Sequence, residues 1–207
     1  MARFSRVSPR REQRKRFLIV VEGEVTECDY FHAIRKSRSL PKELIQVEPP
    51  PPTSPLEIVR KAVRLRDEQR ERDPYDEVWC VFDVEAQVTQ PARPNLQEAL
   101  TLAEQKQIKI ALSNPCFELW LLLHHQDCTA WIASHDVQTA CSKSGIVEDK
   151  KILKVADILR LHGQAKSRAE KLCKTHNRND TDDPAERNPE TTVHRLVDAI
   201  YAAFPQA

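Results

Sequence analysis

Two apolar runs in this chain end in acids. FLIVV at 17–21 leads directly into Glu22 and Gly23, and VWCVF at 78–82 leads into Asp83, Val84 and Glu85. Runs this apolar are expected of strands buried on both faces of a parallel sheet. In open α/β sheets ligands collect beyond the carboxyl ends of the strands, so Glu22, Asp83 and Glu85 are expected at one edge. Asp83 and Glu85 share a side if the backbone stays extended. If the two strands are neighbours, a spacing of about 4.8 Å brings Glu22 within bridging distance. Carboxylates gathered in this way repel one another unless a cation lies among them, and oxygen-only ligands select hard ions such as Mg²⁺ or Mn²⁺. An ion there would polarise a phosphodiester and stabilise its attacking and leaving oxygens, while Gly23 would let backbone pass close to a substrate phosphate. The alternative is that both strands end in acids simply because they surface there.

Further candidates surround these three. SNPCFELW at 113–120 places Asn114 after a strand and Glu118 one turn into a helix near the same edge. Asn114 can cap that helix or contact phosphate. Glu118 lies in an otherwise apolar segment, where an unpartnered carboxylate is costly; it serves either as a further metal or water ligand or as a satisfied internal hydrogen-bonding group. Between Arg160 and Arg178 six basic residues, Lys166 and Arg168 among them, are opposed by Glu170 alone. They suit a nucleic-acid backbone or form a solvated helix face. His124 and His125 carry no paired-ligand spacing and read as structural.

The elements that must position these residues alternate. After the first strand, Thr26 can cap a helix to about Ser39, with Glu27 and Asp29 favourable in its first turn. A short strand at 44–47 precedes the stiff connector PPPPTSP, and Ser54 caps a helix opening at Pro55. The second acidic strand is followed by the loop QVTQPARPN, a helix over 96–106, the strand IKIALS and a buried helix over 117–124. Beyond that only helical signals occur, notably 151–161 and 191–204. Strands alternating with helices predict βαβ units and a mostly parallel sheet, with a helical C-terminal part from about residue 126.

At 207 residues the chain suits one domain over 17–207, with its core at about 17–125, behind a basic arm at 1–16. That arm holds seven Arg or Lys against Glu12, a charge of 7 − 1 = +6, so with a net charge of +1 the remainder carries 1 − 6 = −5. A basic arm on an acidic body suits attraction to nucleic acid or is a solvated terminus. With three glycines in the chain, neither a dinucleotide fingerprint nor a phosphate loop can be built. There is no nucleophile elbow for a serine hydrolase. The six cysteines have no zinc-module spacing and are expected as buried thiols in the reducing cytoplasm. No signal peptide or membrane span is expected.

The strand ending in Glu22-Gly23, followed by one ending in Asp83-x-Glu85, resembles the TOPRIM fold of topoisomerases, bacterial primases and OLD-type nucleases. LIVVEGEVTECDYF, EVWCVFDVE, SNPCFELWLLLH and NPETTVHRLV, in that order over about 17–197, look like the RloB family of TOPRIM-like proteins, associated with phage defence and abortive infection. The resemblance implies a Mg²⁺-dependent nuclease acting on DNA or RNA, with Glu22 as general acid or base and Asp83 and Glu85 holding metal. It also makes an ATPase partner plausible. Glu85 departs from the usual Asp-x-Asp pair, which leaves open a non-catalytic regulatory or toxin subunit that binds a nucleotide or partner through the acidic pocket.

Overall fold

The computed structural model describes residues 14–49, 54–85, 95–153 and 155–205. Residues 50–53 of the proline-rich connector, the loop at 86–94 and all but the last three residues of the basic arm lie outside them.

Four parallel strands form the sheet: β1 (Phe17–Val21), β2 (Ile45–Glu48), β3 (Glu77–Asp83) and β4 (Lys109–Asn114). A short β7 (Glu190–Thr191) adds antiparallel to β4, giving the order β2-β1-β3-β4-β7. Side-chain alternation divides β1 between two cores. Phe17, Ile19 and Val21 join Trp79, Val81 and Ala111 on one face, and Leu18 and Val20 join Val78, Cys80, Phe82 and Leu112 on the other. Helix α1 (Thr26–Ser37) covers the first face together with α4 (Glu118–Leu122), α5 (Ser134–Lys143), α6 (Val155–Arg160), α7 (His162–Arg178) and α8 (Val193–Ala203). The second face is covered by α2 (Pro55–Gln69) and α3 (Leu96–Gln105). The expected architecture, a mostly parallel sheet flanked by helices with a helical C-terminal part, is the one found.

The C-terminal part also contains strands that the helical signals conceal. A two-stranded hairpin, β5 (Val147–Glu148) and β6 (Lys151–Ile152), precedes α6, so the helix expected from residue 151 begins at Val155. Likewise the helix expected from Thr191 begins at Val193, because Thr191 pairs with Ser113. Strands of two residues are too short to show a period of two. Among the described residues no helix is long and apolar enough to cross a membrane. All six cysteines are free thiols, four of them buried.

The topology explains where a site can form. β1 leaves through α1 on one face, while β3 leaves toward α3 on the other. Adjacent strands whose connections diverge in this way open a crevice at their carboxyl ends. Glu22 and Asp83 stand at that crevice.

Candidate functional site: an acidic cleft at the sheet edge

Val21 pairs with Val81, so the ends of β1 and β3 lie side by side. The backbone N–H of Asp83 donates to Glu22 Oε2 at 2.9 Å, which fastens the first acid to the strand carrying the second. Glu22 and Asp83 share a cleft of about 540 Å³ with Glu27 and Glu118, and its far wall comes from α5 and the β5–β6 hairpin.

Glu27 lies in the first turn of α1 as the sequence predicts, and it also belongs to the cleft, which the sequence does not reveal. As an acid in the first turn of α1 it suits the helix dipole, but its side chain turns back and is 5% exposed. Its Oε1 accepts the backbone N–H of Gly23 at 3.0 Å. A Cβ on Gly23 would lie 1.7 Å from Glu27 Oε2. The glycine thus makes room for a carboxylate of the protein itself, a requirement separate from any approach to substrate. The available signal is an acid four residues after a glycine that lies just beyond a strand, at a distance where a side chain reaches back over the first helical turn.

Proximity of these acids shows in their proton affinities. Burial, followed by the fields of Glu118 and Glu22, raises the Glu27 pKa to about 7. Burial raises Asp83 well above the carboxylate range, with Glu27, Glu22, Glu118 and Glu85 adding in that order. The Cys116 thiol is pushed up by its burial and then by Asp83 and Glu118. Like charges confined beyond bulk water raise one another's pKa values in this manner.

Glu85 does not share the side of Asp83 as an extended chain would require. β3 ends at Asp83, and Glu85 takes the left-handed conformation, φ 50°. Its backbone N–H donates to Pro115 O at 3.1 Å, and the residue is exposed. It does not line the cleft, although its charge still raises the Asp83 pKa. Glu118, at the start of α4, does line it.

Thr26 and Asn114 hold the structure together in ways other than capping. The Thr26 hydroxyl donates to Lys150 O at 3.0 Å, tying α1 to the hairpin tip. Asn114 is fully buried, and no side chain caps α4. Its Nδ2 donates to Pro184 O at 2.9 Å and Ala185 O at 3.2 Å, and its Oδ1 accepts from Asn188 Nδ2 at 3.3 Å. We expect Asn114→Ala to cost about 1–3 kcal/mol in urea unfolding, because the loop at 184–188 loses buried partners.

The basic residues of α7 are engaged elsewhere. Lys166 Nζ lies 2.8 Å from Asp198 on α8, while Arg168 Nη1 donates to Leu123 O at 2.7 Å. Neither lines the cleft. His124 is structural, as expected: its Nδ1 sits 2.8 Å from Trp120 O, and burial lowers its pKa to about 4.

The donor chemistry of the cleft fits a hard cation, since six acidic residues, Glu22, Glu24, Glu27, Asp83, Glu118 and Asp149, line it. Among the described residues, no three His, Cys, Asp or Glu form a ready-made ion site. Mg²⁺ does not need one, because it commonly binds through one or two carboxylates and completes its shell with water and substrate phosphate.

A family model described as RloB-like protein matches residues 17–200. No curated protein and no solved structure matches the chain.

Proposed function

The chain belongs to the RloB-like family over residues 17–200, and on that premise we propose that it is a divalent-metal-dependent nuclease hydrolysing phosphodiester bonds of DNA or RNA in a bacterial anti-phage defence system. The observation that carries this reading is the meeting of Glu22 and Asp83, 61 residues apart, at the crevice between β1 and β3. TOPRIM resemblance at the same two strand ends points the same way.

Glu22 and Asp83 would hold Mg²⁺ or Mn²⁺, with Glu118 and Glu27 at its flank. When bound, the ion supplies Lewis-acid polarisation of the phosphoryl group and offsets the charge that develops on it. The protein's own contribution is placement. The Asp83 N–H orients Glu22, and the Gly23 N–H orients Glu27. Glu22, held in this way, is the candidate to take or give the proton of the reacting oxygens.

Gly23→Ala tests the placement, because the added methyl must displace the Glu27 carboxylate. Groups that orient a metal site are typically worth about 10–100-fold in metal affinity or activity. A loss of that size is expected in Mg²⁺ titration calorimetry.

A second reading, a non-catalytic subunit that binds a nucleotide or an ATPase partner through this cleft, is favoured by the position of Glu85 outside it. One assay separates the two. Duplex DNA, single-stranded DNA and structured RNA are incubated with Mg²⁺ or Mn²⁺, with and without a candidate ATPase. Cleavage abolished by EDTA supports the nuclease; tight partner binding without cleavage in any metal supports the subunit.

A further inference from the structure

The hairpin wall of the cleft carries a lysine that the nuclease reading leaves unused. Among the described residues lining the cleft, Lys150 is the one cation, set against Glu22, Glu24, Glu27, Asp83, Glu118 and its own neighbour Asp149. It forms no ion pair among the described residues.

Its backbone is unusual for a lysine. Val147 pairs with Ile152 and Glu148 with Lys151, leaving Asp149 and Lys150 as a two-residue hairpin loop. Both are left-handed, with φ of 47° and 63°. Tight hairpin turns of this kind favour Asn or Asp followed by Gly. Asp149 obeys that preference and Lys150 violates it. A side chain at a position where glycine is easier costs stability, so an outlier beside a site is a reason to look for a role. The tip is also held in place: Lys150 O accepts the Thr26 hydroxyl at 3.0 Å, at the first residue of α1 and four residues after Glu22. The hairpin is therefore fixed relative to the acids.

We propose that Lys150, at the tip of the β5–β6 hairpin, seats a backbone phosphate of the nucleic acid in the acidic cleft. This rests on the nuclease reading of the same cleft. An anionic polymer entering a cleft lined by six acidic residues is repelled, and a cation at the hairpin tip gives its phosphate a place to sit. Contacts of this type position the chain without reading sequence.

The test compares wild type with Lys150→Gly, Lys150→Gln and Lys150→Arg. Binding of fluorescein-labelled duplex DNA and hairpin RNA is measured in Ca²⁺ across a salt series, and cleavage is measured in Mg²⁺. Lys150→Gly is expected to bind about tenfold more weakly, with the slope of log K against log salt reduced by about 1, as for one lost phosphate contact. Its melting temperature should equal or exceed that of wild type, because glycine suits the turn. Lys150→Gln should lose affinity likewise, and Lys150→Arg should retain it. If wild type neither binds nor cleaves, the nuclease reading falls and this assignment with it. If wild type cleaves and the glycine and glutamine variants match its affinity and salt slope, only the assignment of Lys150 is overturned.

Discussion

Asp83→Asn should lower metal-stimulated cleavage by about a thousandfold or more while leaving the circular dichroism spectrum unchanged. Asn retains the shape and one oxygen of the side chain but not the charge that attracts a hard cation. Charge stabilisation by a bound ion is worth several kcal/mol, and each 1.4 kcal/mol or so is a factor of ten in rate. The fold should survive because the pairing of β3 is made by its backbone and its core face by Val81 and its neighbours. The Asp83 backbone N–H, which binds Glu22, is present in either residue. A variant with full activity, or one that loses its spectrum, contradicts this account.

In metal-free buffer Glu27→Gln should stabilise the protein near neutral pH and above. Folding raises the Glu27 pKa from 4.5 to about 7, so between those values the native protein holds a proton that the unfolded chain has released. Its stability therefore falls as pH climbs through that window, and the loss is complete above it. A shift of this size corresponds to roughly 3 kcal/mol. Glutamine never ionises, its Oε1 can keep the Gly23 N–H, and its amide can donate toward the neighbouring acids. The variant should melt roughly 5–10 °C higher than wild type near pH 8 and almost level with it near pH 4.5. Mg²⁺ should reverse the order by stabilising wild type more, since a ligand raises the stability of the state that binds it better. Differential scanning calorimetry at the two pH values, with EDTA or Mg²⁺, measures both effects. A glutamine variant no more stable than wild type near pH 8 in EDTA would show that the acids do not strain the metal-free cleft.

What the sequence revealed about this site followed the length of its signals. Five apolar residues ending in Glu22 and as many ending before Asp83 are long enough to mark buried parallel strands, and such strands end where ligands bind. Glu85 was misplaced because a period of two assumes extended backbone, and the left-handed turn after Val84 breaks it. Glu27 was hidden by an adequate local explanation, the helix dipole, which says nothing of a side chain folding back onto Gly23. Asn114 and Thr26 are typical capping residues, yet their bonds go to residues 70 or more positions away, and such partners leave no local pattern. The hairpin that brings Lys150 to the cleft rests on four paired residues, fewer than alternation can register.

If the acids at the ends of β1 and β3 jointly hold a divalent ion, Mn²⁺ titrated into the metal-free protein and followed by electron paramagnetic resonance should bind wild type saturably. Mg²⁺ should compete for the site, and the binding should be lost in both Asp83→Asn and Glu22→Gln. Wild type that leaves Mn²⁺ free in solution, or variants that bind it as wild type does, would rule out a shared ion at these strand ends.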